Sequence, residues 1–258
     1  VEGSVHPLAV VEPGAELGEG VVVGPFCRVG AHVHLGEGVV LRSHVNVEGH
    51  TTLGAGCEVW PHANVGGRTQ DVKYAGGAPR LAVGARTKIR ECATLNCATR
   101  DGAETRVGED CLLMAYCHVA HDCQLGDRVI MANNATLGGH VVVEDDAIIG
   151  GLTGIHQFVR IGRMSILGGV TKAVKDVPPY MMADGDPLRV YGPNKVGLER
   201  HQVPVEARLA LKQAYRLLFR TTLTTAQALE TIEAELPAGP EIRAFVEFVR
   251  KSKRGIAR

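Results

Sequence analysis

The sequence predicts a mainly β chain, a parallel solenoid of six-residue repeats over residues 1–190, followed by a small α-helical domain over residues 191–258. Three observations carry this. An aliphatic side chain recurs at every sixth residue from Val5: of the 29 positions in that register up to Ala173, only Asp71, Gly77, Asp101 and Ala173 are not Val, Leu, Ile or Met. A period of six is neither 3.6 nor 2, and fixed self-similarity marks a solenoid whose units bury a face only against their neighbours. Aromatic residues make up only 4% of the chain, which suits a prism too narrow for large rings. Beyond Pro193 the spacing changes, and Pro204 to Arg220 carries apolar residues three and four apart, the pattern of an amphipathic helix.

In the repeat region the aliphatic at position i is often followed by glycine, as in Leu17-Gly18, Val23-Gly24 and Leu35-Gly36, and the residue at i−2 is small or β-branched. Strand alternation then turns i and i−2 inward, with a turn after i. Three such units make a triangular coil of 18 residues, and coils stack at about 4.8 Å. Five of the seven cysteines (Cys27, Cys57, Cys111, Cys117, Cys123) fall on the i−2 phase. No Cys-x-x-Cys occurs, so these read as small buried free thiols.

Two stretches, 66–82 and 98–106, interrupt the ruler and restore its register, as loops thrown out of intact coils would. Loops on a rigid scaffold commonly carry binding residues. After Ala173 the ruler stops, and Asp176-Val-Pro-Pro179 is expected to end the repeat. In the tail, Thr224 and Pro240 are plausible helix starts.

Net charge is zero, but it divides unevenly. Residues 194–258 hold twelve Lys/Arg against seven Asp/Glu, leaving sixteen against twenty-one before them. A basic appendage beside an acidic rod suggests an acidic partner. Nucleic acid is disfavoured because no aromatic interleaving or recognition motif accompanies the charge. No run of about 18 apolar residues implies a membrane span, and no signal-peptide pattern is seen at Val1. The expected location is the cytoplasm.

The 18-residue step computes neighbours. His121 has Gly139 one coil above and Gln157 above that, with His140 and His156 beside them, so one outer edge gathers these residues. His118 shares a strand with His121 and faces outward. Clustered imidazoles serve either as zinc ligands, three converging at about 2 Å, or as a general base with an orienting carboxylate. Asp122 is the candidate orienter, a weak one because consecutive side chains need not meet. An inert assembly scaffold gives this histidine edge no purpose.

The repeats resemble the hexapeptide-repeat acyltransferase superfamily, which implies a left-handed parallel β-helix; the general rule for parallel crossovers predicts the opposite hand. The ordered segments Gln70-Asp-Val-Lys-Tyr-Ala-Gly76, Ile89-Arg-Glu91, His118-Val-Ala-His-Asp-Cys123, Ala132-Asn-Asn-Ala-Thr136, Gly138-Gly-His140, His156-Gln-Phe158, Asp176-Val-Pro-Pro-Tyr180 and the stretch Asn194 to Arg200 are similar to those of the bacterial UDP-N-acetylglucosamine O-acyltransferases of lipid A biosynthesis. That resemblance implies transfer of an (R)-3-hydroxyacyl chain from acyl carrier protein to the glucosamine 3-hydroxyl of UDP-N-acetylglucosamine, without metal or organic cofactor. It implies His121 as general base, the Gly139 N–H at the oxyanion, and Asp71 and Lys73 on the sugar. It further implies His118, His140, His156 and Gln157 along the sugar and pantetheine cleft, Asn194 and Arg200 near the uridine or phosphates, and a homotrimer with sites between subunits. One stretch departs: where the family has Thr-Ile-His-Arg-Gly-Thr this chain has Thr94-Leu-Asn-Cys-Ala-Thr99, so the second loop's role is open. The alternatives are the same scaffold acting on a 3-amino sugar or another acyl donor, and a zinc hydro-lyase.

Overall fold

The computed structural model describes residues 3–258. Strands of mostly two residues stack into three sheets of 11, 9 and 8 strands, parallel except for the last strand of the first, and form the three sides of a prism. Up to Ala173 the step between coils is 18 residues wherever no loop intervenes: Val5 pairs with Val23, Val11 with Val29, and Leu17 with Leu35. The coils form a left-handed parallel β-helix. The usual right-handed preference rests on twisted strands joined through a crossover helix that packs back on the sheet. Two-residue strands joined by corners impose neither.

Positions i and i−2 face inward as the sequence predicts. Leu35, Val47, Leu53, Leu95 and Val119 are fully buried, as are the i−2 residues Cys57, Cys117 and Cys123. The bottom of the ruler differs: Val5 and Leu17 are exposed, because among the described residues no coil stacks beneath the first. The turns also differ in detail. The residue with left-handed backbone is i+3, as at His44, Asp122, His140 and Phe158 with φ of 58°, 59°, 60° and 66°. The glycine at i+1 answers a different need, close stacking of coils. A Cβ at Gly24 would lie 2.8 Å from the Arg42 carbonyl oxygen above it.

The loops lengthen two coils by whole repeats. Val59 pairs with Ile89, a step of thirty, and Ile89 with Leu113, a step of twenty-four. The first loop lies between strands Asn64–Gly67 and Arg80–Val83, and the second between Thr94–Asn96 and Glu104–Val107. These strands belong to the sheets that meet at the corner carrying His121, so both loops leave from the histidine edge.

The expectation that Asp176–Pro179 ends the repeat is corrected. Val177 bridges in parallel to Ile161, and Met181–Asp184 pairs in parallel with Ile166–Leu167. The step there is sixteen, so a further part-coil forms with a register a fixed ruler misses. An antiparallel partner, Arg189–Pro193, then ends that sheet.

The helical part comprises α1 (Lys195–Arg200), α2 (Val205–Phe219), α3 (Thr225–Glu235) and α4 (Pro240–Arg250). Thr224 and Gln227 close a reciprocal capping box on α3, and Pro240 opens α4, as their types favour. The tail returns to the prism. Ser252 Oγ donates to Asp176 Oδ2 at 2.7 Å, and the Ala257 N–H donates to the Asp176 carbonyl at 2.9 Å. Among the described residues no helix is long and apolar enough to cross a membrane.

Candidate active site

The histidine edge forms because each coil places an equivalent corner one strand spacing above the last. The His140 N–H donates to the His121 carbonyl and the Phe158 N–H to the Gly139 carbonyl, both at 3.0 Å, which fixes the column. At its foot His121 Nδ1 lies 2.8 Å from Asp122 Oδ2. The left-handed backbone at Asp122 turns these consecutive side chains towards one another. An ionised carboxylate only accepts, so the neutral imidazole that fits this contact is the Nδ1–H tautomer, which leaves the Nε2 lone pair free. Asp122 is itself held, its N–H donating to Thr105 Oγ1 at 2.8 Å and its Oδ2 receiving the Thr99 N–H at 3.2 Å.

Directly above, Gly139 leaves the space the imidazole fills. A Cβ there would stand 2.4 Å from His121 Cε1 and 2.5 Å from Nε2. The Gly139 N–H makes no hydrogen bond to protein among the described residues. His140 Nε2 approaches Asp122 Oδ2 at 3.8 Å, and its ring stacks on Phe158 with centroids 4.6 Å apart and planes 4° from parallel.

A cleft of about 640 Å³ opens in front, lined by Asp71, Lys73, Thr99, Arg100, Asp122, His140 and Phe158 among others. The fold thus brings Asp71 and Lys73 from the first loop to the histidine corner. Asp71 Oδ1 accepts the Lys73 N–H at 2.9 Å, a local turn that fixes the loop around them.

The remaining candidates sit around this centre. His118 faces outward with Nδ1 2.7 Å from Thr94 Oγ1. Burial, reinforced by the charge of His121, holds its pKa below the ordinary imidazole value. His156 Nδ1 is 3.3 Å from Arg254 Nη2, and Gln157 is exposed. Asn194 and Arg200 do not line the cleft. Asn194, expected near the uridine or phosphates, is buried and has both amide atoms engaged: Oδ1 accepts the Gly197 N–H at 3.0 Å to cap α1, and Nδ2 donates to the Met164 carbonyl at 2.9 Å. Arg200 is exposed at the end of α1.

Sequence reasoning missed Phe158, which the 18-residue offset from His140 already placed, and Thr99 and Arg100, which no period marks. The donor atoms of His121, Asp122 and His140 all lie within 4.8 Å of one another, so a divalent ion favouring nitrogen could draw them together. His121 and Gly139 are not in the cleft lining themselves but adjoin Asp122 and His140, which are; they offer equally an imidazole base beside a backbone amide, the constellation acyl transfer requires.

Comparisons agree with the second chemistry. A family profile described as "Udp N-acetylglucosamine O-acyltransferase; Domain 2" matches residues 176–257, and one for "Bacterial transferase hexapeptide (six repeats)" matches 104–139. An acyl-[acyl-carrier-protein]–UDP-N-acetylglucosamine O-acyltransferase of Paracidovorax citrulli is 49% identical over 260 residues, covering 99% of each chain. The crystal structure of a UDP-N-acetylglucosamine acyltransferase from Bacteroides fragilis superposes with a TM-score of 0.97 at 36% identity, covering 99% of this chain and 100% of that one. An Acinetobacter baumannii structure of the same kind gives 0.95 at 40% identity, covering 98% and 99%.

Proposed function

The chain belongs to the UDP-N-acetylglucosamine O-acyltransferase family, and from that premise we propose how its own residues perform the transfer. It is an acyl-[acyl-carrier-protein]–UDP-N-acetylglucosamine O-acyltransferase of lipid A biosynthesis. The donor chain is an (R)-3-hydroxyacyl group, and the acceptor atom is the glucosamine 3-hydroxyl. Asp71 and Lys73 hold the sugar in the cleft so that this hydroxyl meets His121 Nε2. As the hydroxyl oxygen attacks the thioester carbonyl carbon, Nε2 takes its proton, and Asp122 stabilises the imidazolium through Nδ1–H. The carbonyl oxygen becomes an oxyanion that the Gly139 N–H receives, a contribution usually of about 3 kcal/mol. Collapse breaks the carbon–sulfur bond, and the imidazolium returns the proton to the departing thiolate. Nε2 and the Gly139 amide act on opposite partners of one bond-forming step. The observation that carries this is the His121 ring packed on Gly139, with Nδ1 tied to Asp122.

His118, His140, His156 and Gln157 extend the binding surface along the edge. The enzyme works as a cytoplasmic homotrimer with clefts shared between copies, which gives Arg200 a neighbour's phosphates to pair with; Asn194 contributes by fixing α1. An exposed apolar column at another corner, Phe26, Tyr116, Leu152 and Val170, supports such assembly. Acyl carrier protein is the acidic partner. Lys195, Arg208 and Lys212 line a groove between α1 and α2 on the basic half of the chain.

The test is product analysis by mass spectrometry from mixed 3-hydroxyacyl carrier proteins and UDP-N-acetylglucosamine, with His121→Ala in parallel. The wild type gives an O-acylated sugar nucleotide, and the variant loses transfer by about 10²–10⁴-fold while staying folded. Retained transfer in H121A would remove the assigned base.

A further inference from the structure

The two loops touch one another, and the contact runs into the catalytic pair. Thr69 Oγ1 and Thr99 Oγ1 lie 3.0 Å apart, and both residues are buried, at 5% and 9% exposure. On the Thr69 side the same oxygen accepts the Asp71 N–H at 3.1 Å, so it fixes the first residue of the sugar-holding turn. On the Thr99 side the backbone N–H is the donor that reaches Asp122 Oδ2. Thr99 therefore spends its hydroxyl on one loop and its amide on the carboxylate that orients His121.

Other bonds clasp the loops on either side of this pair. Asn96 Nδ2 donates to the Gly67 and Arg68 carbonyls at 3.3 and 3.1 Å. Asp101 Oδ1 accepts the Ala78 N–H at 2.8 Å, and Arg80 Nη2 donates to the Gly102 carbonyl at 3.0 Å. A segment with no strand or helix of its own is thus gripped at its root, near its start and at its return by the second loop.

We infer that Thr69 and Thr99 are positioning residues, and that their hydroxyl–hydroxyl bond locks the loop bearing Asp71 and Lys73 to the His121–Asp122 pair. This gives the altered segment Asn96–Thr99 a function: it sets the distance between the sugar's holders and its base. The inference rests on the reaction assigned above. A loop already fixed in its binding conformation spares the sugar nucleotide the entropy of ordering it. A threonine hydroxyl supplies one donor and two acceptor sites, enough for the pair bond and the Asp71 amide together. Valine keeps the branched shape and removes the bond.

The test is steady-state kinetics on the full chain with T69V, T99V, the double variant, and the hydroxyl-retaining T69S and T99S. T99V raises the KM for UDP-N-acetylglucosamine about tenfold, the scale of one lost buried hydrogen bond, and T69V, which also strips the Asp71 N–H of its acceptor, raises it at least as far. The KM for the acyl carrier substrate stays unchanged. Both substitutions break the shared bond, and T69V also removes the acceptor of the Asp71 N–H, so the double variant resembles T69V rather than the sum of the two, and the serine variants return towards wild type. Unchanged KM for the sugar nucleotide, equal shifts for both substrates, additive effects in the double variant, or a melting-temperature loss alone would each overturn the inference. Wild-type protein that fails to acylate UDP-N-acetylglucosamine overturns the assigned reaction and this inference with it. An active wild type with indifferent valine variants overturns this one alone.

Discussion

Replacing Gly139 by alanine tests the site with one methyl group. The added Cβ would sit 2.4 Å from His121 Cε1 and 2.5 Å from Nε2, whereas carbon atoms settle at about 3.5 Å or more. The obstruction is a side chain rather than backbone, so the cheapest relief is for the imidazole to retreat by about 1 Å. That retreat opens the 2.8 Å contact with Asp122 and withdraws Nε2 from the attacking hydroxyl. A misplacement of that size costs about 10² in rate. The backbone of Gly139 is not in the left-handed region, so alanine adds no conformational strain, and the fold stays intact. G139A should therefore lose about a hundredfold in kcat, with a melting temperature within a few degrees of wild type. The assay is transfer of labelled 3-hydroxyacyl chains to UDP-N-acetylglucosamine at saturating substrates, alongside thermal unfolding. A further control combines G139A with H121A: with the base gone there is little left to displace, so the second substitution adds little. G139A turning over at the wild-type rate would refute the claim that His121 works packed against Gly139.

Two further predictions follow from burial. His118 has its pKa depressed by desolvation, so the unfolded chain takes up a proton first as the pH falls. Its stabilising contribution is complete above the ordinary imidazole value, declines as the pH drops below about 6.5, and is gone once the folded-state imidazole also protonates. His118→Gln should flatten the decline in melting temperature across that acid window, and an unchanged slope would count against it. Burial pushes the Cys123 thiol up to about 12 and those of Cys57, Cys97, Cys111 and Cys117 to about 11. Cys92, only half-buried, should then be the first thiol to react with an aromatic disulfide reagent in the native state, and C92S should remove the fast phase.

Much of the fold was legible because the prism repeats one physical solution. An aliphatic every sixth residue predicts the coil, and the offset of eighteen puts His121, Gly139 and Gln157 in one column from spacing alone. What failed to show has local causes. In a strand, neighbours point to opposite faces, so Asp122 read as a weak orienter. The left-handed corner reverses that geometry, and nothing in residue type announces it, since aspartate, histidine and phenylalanine all occupy it here. The part-coil through Val177 and Met181 was hidden by its two-residue shortfall against the ruler. The partners of Thr99 lie in stretches without period, where spacing says nothing about who touches whom. Asn194 is different: an asparagine just ahead of a helix is a capping signal, and its residue type alone accounts for the bond to Gly197.

The corner position has a consequence for how such a molecule can change. Its backbone conformation is imposed by the coils above and below and is the same whether the occupant is acid, imidazole, arene or aliphatic. Side chains displayed there stand like pegs on a rack with a pitch of one strand spacing. Swapping a peg alters what the rack holds without bending the rack. New specificity can therefore be written along that edge one substitution at a time, and designers can write it there too.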